Sequence, residues 1–162
     1  MTCPIFPSPV SSSRTSLLFS KPGGFRPGDR TFAERYRHKD IDHVVGIESR
    51  GFIFGAALAH VLKKGFVLVR KTGKLPWRKV SETYDLEYGT DTIQMHEDSV
   101  KKDDRVLVVD DLLATGGTAK AACQLIRKMG GQIVECAFVV ELDFLKGREK
   151  LKGTEVFSLV QY

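Results

Sequence analysis

No apolar run in this chain approaches the roughly 20 residues that a membrane-spanning helix needs, so no membrane partner is expected. Cysteine is scarce: Cys3, Cys123 and Cys136 are odd in number and form no CxxC pair. That argues against a disulfide framework and reads as reduced thiols in a reducing, cytoplasmic compartment. The four histidines have no metal-ligand spacing, so no direct protein cage for a metal is expected. There is no GxxxxGKS/T, no GxGxxG after a strand, no HExxH and no GxSxG. No internal repeat is visible. Acid is absent from residues 1–28, which carry only Arg14, Lys21 and Arg26. The rest of the chain therefore holds only +2 of the net charge of +5. A body so nearly neutral is no general footprint for nucleic acid. Its local basic clusters suit a small, highly charged anion better.

What the chain does have is centred on Val106–Thr118, VLVVDDLLATGGT. Val106–Val109 is an unbroken apolar run, which predicts a strand buried on both faces. Ala122, Leu125, Ile126 and Met129 recur at helical spacing, so the unit reads strand, polar loop, helix. A helix N-terminus offers unpaired N–H groups and partial positive charge. Gly116 and Gly117 permit close backbone approach to a ligand, and Thr115 and Thr118 add hydroxyls. With Ala114 these residues form a phosphate cradle by their chemistry. Asp110 and Asp111 would repel a phosphate unless they serve another purpose. They could hold sugar hydroxyls, bind Mg²⁺ through water, or simply cap the loop.

The remaining chain repeats the theme. Asp29–Lys39 predicts a helix with Phe32, Ala33 and Tyr36 on one face. His43–Ile47 predicts a short buried strand. It is followed by Glu48-Ser49-Arg50-Gly51 and a helix marked by Phe54, Leu58, Val61 and Leu62. Ser49, Arg50 and the turn could hold an anion. Phe66–Arg70 predicts a third strand, ending in Arg70-Lys71-Thr72-Gly73-Lys74. Open α/β sheets bind ligands at the carboxyl ends of their strands, where these cations stand. Residues 77–90 are polar and read as a mobile loop or lid containing Tyr84 and Tyr88. Strands are expected at Asp91–His96, Ile133–Leu142 and Val156–Val160, with Lys146–Lys150 as an exposed charged turn. Alternating strands and helices predict an α/β fold: a central, mostly parallel sheet flanked by helices.

Four motifs, in order, resemble one family. VLVVDDLLATGGT resembles the signature loop of the phosphoribosyltransferases, and LLATGGT that of the adenine phosphoribosyltransferases. ESRG with GFIFG resembles the family's diphosphate loop, RKxGKLP its next basic loop, and DLEYG its catalytic loop. The resemblance implies a type I phosphoribosyltransferase-like domain over residues 29–162. It implies an enzyme that transfers phosphoribosyl from phosphoribosyl diphosphate to adenine, giving AMP and diphosphate, with Mg²⁺ and as a homodimer. On that basis Ala114–Thr118 would take the 5′-phosphate. Asp110 and Asp111 would take the ribose hydroxyls, and Ser49, Arg50, Arg70, Lys71 and Lys74 the diphosphate. Leu112 would line the base pocket, Glu87 would be catalytic, and Tyr84 and Tyr88 would belong to the flexible loop. Two alternatives stay open: a non-catalytic sensor of phosphoribosyl diphosphate on this fold, and a transferase for another purine.

Residues 1–28 stand apart. Ser11-Ser12-Ser13-Arg14 in an acid-free stretch is transit-peptide composition, which would place the protein in a plastid or mitochondrion. A competing reading starts from Phe6-Pro7-Ser8-Pro9, which fits the family's FPxPGIxFQDITTLL before the match collapses at Val10–Phe19. Those ten residues can be encoded as GTC TCA TCT TCC AGG ACA TCA CTA CTC TTC. Read one base earlier, after a G, the bases give Gly-Leu-Ile-Phe-Gln-Asp-Ile-Thr-Thr-Leu, the missing segment. We favour a shifted frame, and hence a degraded N-terminal hood, over a transit peptide.

Overall fold

The computed structural model describes residues 27–86 and 89–162. The N-terminal segment and the Glu87–Tyr88 pair lie outside them, so the expectations placed there concern residues that the structure leaves undescribed. The elements run α1 (Pro27–Tyr36), β1 (His43–Ile47), α2 (Gly51–Leu62), β2 (Gly65–Lys71), β3 (Lys79–Asp85) and β4 (Thr90–His96). Then come β5 (Arg105–Leu113), α3 (Gly117–Lys128), β6 (Gln132–Glu141), two short 3-10 turns (Asp143–Leu145 and Gly147–Leu151) and β7 (Val156–Gln161). One seven-stranded sheet has the order β3-β4-β2-β1-β5-β6-β7. The five strands from β2 to β7 are parallel, and β3 and β4 add an antiparallel ribbon at one edge.

The alternation of side chains along each strand builds two cores. On one face Val45, Ile47, Val106 and Val108 pack with Ala122, Leu125 and Ile126 of α3. On the other, Val44, Leu107 and Val109 pack with Phe32 and Tyr36 of α1 and Phe54 and Leu58 of α2. Strands covered on both faces must be apolar throughout, which is why Val106–Val109 has no polar break. Val61 departs from its expected place on the buried helix face: it is exposed, as is Ile53. Cys123 of α3 and Cys136 of β6 are buried free thiols, their sulfurs 3.4 Å apart across the first core. Among the described residues no helix is long and apolar enough to cross a membrane.

The polar span 77–90 is not all loop. Lys79–Asp85 is a strand, paired with β4 from Lys79↔His96 to Asp85↔Thr90. Its residues alternate, and Val80 and Tyr84 rest against the α3 core. Glu82 also forms an ion pair with Lys128 of α3. The helix supplies the half-cover that lets so polar a segment stand as a strand. The expected turn at Lys146–Lys150 carries exposed charges, but Gly147 within it is buried and Arg148 is tied down. Arg148 donates to Glu141 through Nε at 2.5 Å and Nη2 at 2.6 Å.

Glu135 is a second buried carboxylate on β6, with 1% of its side chain exposed. Arg35 grips it through Nε (3.1 Å) and Nη2 (2.5 Å), and Lys39 through Nζ (3.0 Å). This pins α1 to the sheet. Arg35→Met should cost about 3 kcal/mol, because among the described residues the buried carboxylate keeps Lys39 as its one ion-pair partner. Burial pushes the Glu135 carboxyl up, but the hydrogen bonds from Arg35 and Lys39 outweigh it and hold the pKa below the ordinary range. A lowered folded pKa stabilises above the unfolded value, and that contribution is lost as pH falls through the folded value. Denaturant midpoints should therefore differ most near neutrality, and the gap should narrow below about pH 4. An equal gap at every pH would show that the ion pair is not its source.

Candidate active site

The sheet order places β1 between β2 and β5, each running on to opposite sides of the sheet. That is the switch point of an open parallel sheet, where a crevice opens at the carboxyl ends of the strands. Three chain segments meet there: Glu48–Arg50 after β1, Arg70–Lys74 at the end of β2, and Asp110–Thr118 at the end of β5.

The β5 strand extends to Leu113, beyond the apolar run that first marked it, so Asp110, Asp111 and Leu112 are strand residues. Pairing with β1 stops at Gly46↔Val109, while pairing with β6 continues to Leu113↔Glu141. From Asp110 onward β5 thus has no β1 partner and borders the crevice. Helix α2 begins hard against it: a Cβ on Gly51 would lie 2.8 Å from Asp110 Oδ1 and 2.9 Å from the Val109 carbonyl. Burial under this helix pushes the Asp110 carboxyl well above its ordinary range, and the neighbouring charge of Asp111 adds to the shift. Asp110 Oδ1 also accepts the Asp111 N–H at 2.8 Å. Asp111 has a partner that spacing did not reveal: Arg50 Nε donates to its Oδ2 at 2.6 Å. The arginine expected at a diphosphate and the acid expected at a ribose thus meet across the crevice.

Ala114, Thr115 and Gly116 connect β5 to α3. Gly116 has φ +75 and caps the helix, and no side chain caps it. A Cβ there would collide with the Gly147 carbonyl, so both conformation and space demand glycine. The first-turn N–H groups of Gly117 and Thr118 are left available to an anion. Thr118 Oγ1 donates to the Tyr84 hydroxyl at 3.0 Å, which ties the β3–β4 ribbon to this loop. Leu112 is half-buried beside Asp111.

The cations at the end of β2 are not free: Lys71 and Lys74 are exposed, yet both are paired. Arg70 and Lys74 converge on Glu48, a residue the motif contained and to which no role was given. Its carboxylate accepts Lys74 Nζ at 2.5 Å, Arg70 Nη2 at 3.5 Å and the Lys71 N–H at 2.8 Å. The Lys71 ammonium turns away to Asp91 at 2.9 Å. Arg70 Nε is buried without a partner among the described residues, a donor left over for a ligand. Ser49 is exposed beside Arg50. A carboxylate at the end of a short strand, two residues before Arg50, reads as a solvated residue; only the fold shows that it is enclosed. Among the described residues no group of three or more His, Cys, Asp or Glu could hold a metal ion.

Known proteins resemble this chain in sequence and in fold. The phosphoribosyl transferase domain model matches residues 17–160. The adenine phosphoribosyltransferase of Christiangramia forsetii is 54% identical over 153 residues, 94% of this chain and 90% of that protein. The crystal structure of adenine phosphoribosyltransferase from Rhodothermus marinus has a TM-score of 0.81 at 50% identity, covering 83% of this chain and 77% of that one. The Saccharomyces cerevisiae adenine phosphoribosyltransferase, solved with adenine and an imino-altritol bisphosphate, has a TM-score of 0.79 at 42% identity, with coverage of 88% and 82%. The fold, the crevice and these relatives agree, and the chain belongs to the adenine phosphoribosyltransferases, within the phosphoribosyl transferase domain family.

Proposed function

We propose that this protein transfers the phosphoribosyl group of phosphoribosyl diphosphate to adenine, releasing AMP and diphosphate in purine salvage. The observation that carries the reading is the meeting of the three segments at one switch point. Ala114–Thr118 would bind the 5′-phosphate at the start of α3. Asp110 and Asp111 would hold the ribose hydroxyls, with Asp111 exchanging its exposed Arg50 partner for substrate. Arg50 is 64% exposed and solvent screens its end of the pair, so it can move aside for substrate.

In the reaction the bond from ribose C1′ to the diphosphate oxygen breaks, and a ring nitrogen of adenine forms the new bond to C1′. Positive charge builds on the sugar and negative charge on the leaving group. Ser49, Arg50, Arg70, Lys71 and Lys74 would bind the leaving diphosphate, and preorganised charge there would lower the barrier. Leu112 would cover the adenine ring, and Tyr84 would hold the ribbon against the phosphate loop. Glu87, with Tyr88 beside it, would take the ring proton or stabilise the cationic sugar. Mg²⁺ would be carried in with phosphoribosyl diphosphate, neutralising its charge. The acids Asp110 and Asp111 fit its water shell, and a protein cage is not needed. The free thiols Cys123 and Cys136 support a cytoplasmic location; a plastid or mitochondrial one goes with the transit-peptide reading of residues 1–28.

Base-dependent diphosphate release with adenine, guanine and hypoxanthine tests the assignment. Adenine should be the best acceptor and a chelator should stop release. Release with hypoxanthine but not adenine would reassign the substrate, and no release with any base would favour a sensor. The homodimer is a prediction too: the family resemblance implies it, and Ile53 and Val61 leave apolar surface on α2. Sedimentation at micromolar concentration should give twice the 18.1 kDa of one chain. A single monomer peak would count against it.

A further inference from the structure

The enclosure of Glu48 invites a more specific reading. Its side chain is 8% exposed. Its backbone N–H donates to the Val69 carbonyl at 3.0 Å, which fixes it at the β1–β2 junction. Arg70 Nη1 donates to the Lys74 carbonyl at 3.1 Å and so closes the basic loop on itself. The Gly73 N–H is held by Gln94 at 3.2 Å. Among the described residues, every side-chain or backbone donor to the Glu48 carboxylate comes from Arg70, Lys71 or Lys74, the groups assigned to the diphosphate. A carboxylate in that position does what an anionic ligand would do there: it gathers the cations and a backbone N–H around two oxygens. Burial pushes its carboxyl up, and Lys74, the Lys71 N–H and Arg70 outweigh that and hold its pKa below the ordinary carboxylate range.

We propose that Glu48 is the internal counter-anion of the diphosphate cradle, a positioning residue that keeps the cations ordered and weakens their hold on diphosphate so that it can leave. The inference rests on the phosphoribosyl-transfer reading. Its physics is a competition. A cradle in which Arg70 and Lys74 had no counter-charge would bind a multiply charged leaving group tightly before and after reaction, and product would dissociate slowly. One buried negative charge beside the same donors opposes the ligand's charge at short range and lowers both affinities.

A purely structural staple and a counter-anion predict opposite signs. Glu48→Gln keeps the size of the side chain and an oxygen to accept the Lys71 N–H, but removes the charge. If Glu48 only staples the loop, the variant should bind diphosphate more weakly or equally. If it is a counter-anion, Glu48→Gln should bind diphosphate with Mg²⁺ at least tenfold more tightly by calorimetry. Its steady-state turnover should fall, with a burst of AMP on the first turnover as product release becomes limiting. Glu48→Asp, which keeps the charge but draws it back from Lys74, should lie between the two and is the recourse if the glutamine variant folds poorly. Wild-type binding with equal or weaker binding by both variants overturns the inference and leaves the functional reading intact. No diphosphate binding by the wild type at millimolar concentration would overturn the functional reading itself, and the inference with it.

Discussion

Asp110→Asn combined with Asp111→Asn is expected to lower kcat/KM for phosphoribosyl diphosphate by at least about a hundredfold while the fold survives. One well-placed charged contact to the transition state is worth about 3 kcal/mol, and here two acids would lose their charge at the ribose. Survival of the fold follows from the local geometry. Asparagine Oδ1 at position 110 can still accept the Asp111 backbone N–H, and the amide fits under the first turn of α2. The single variant Asp110→Asn should even raise the melting temperature at neutral pH. The folded pKa of Asp110 is raised, first by burial and then by Asp111, so ionising it costs the folded state free energy. That cost is fully present above the folded pKa and vanishes below the unfolded one. The stability gain should therefore shrink as pH falls toward the ordinary carboxylate range. Unchanged turnover in a folded double variant would remove the acids from the mechanism. A gain that persists at low pH would remove burial of charge as its cause.

The parts of the molecule that were legible in the sequence share a physical property: their signal is local. The β5–loop–α3 unit could be read because a strand covered on both faces is continuously apolar and the helix after it repeats every three to four residues. Its chemistry was legible because a phosphate loop is built from consecutive residues, Ala114 to Thr118. What was hidden depends on partners far along the chain. Lys79–Asp85 offers only Val80 and Tyr84 as apolar residues, and becomes a strand because α3, more than 30 residues later, covers one side. Glu135 interrupts an apolar strand, and its partner Arg35 stands 100 residues earlier. Glu48 sits in a motif that could be recognised. Its enclosure, however, depends on β2 lying beside β1, which brings Lys74 back across 26 residues. Sequence spacing also kept Arg50 and Asp111 apart as separate functional groups, whereas the switch point brings them to 2.6 Å.

Replacing residues 10–19 with Gly-Leu-Ile-Phe-Gln-Asp-Ile-Thr-Thr-Leu is expected to improve adenine binding by about ten- to a hundredfold and to leave phosphoribosyl diphosphate binding unchanged. The asymmetry comes from where the groups lie. The candidate phosphate, ribose and diphosphate residues all fall between Glu48 and Thr118 in sequence, outside the altered stretch. The base is different. A purine is bound by apolar side chains that cover its ring and by a few polar groups that read its edge. The family segment supplies isoleucine and phenylalanine at spaced positions, with an aspartate among them. Val10–Phe19 puts Ser11, Ser12, Ser13 and Arg14 across the same span. Hydroxyls and a guanidinium bury poorly without partners and give little cover to an aromatic ring. One lost apolar side chain over the ring is worth about 1.5–3 kcal/mol, which is the stated range in affinity. Calorimetry with adenine and, separately, with phosphoribosyl diphosphate would compare the two chains directly, and turnover should follow the adenine affinity. Tight adenine binding by the chain with Val10–Phe19 in place would show that the segment does not act as a hood. Codons at 10–19 that cannot yield the family segment on a one-base shift would remove the frame argument and restore the transit peptide as the reading of this stretch.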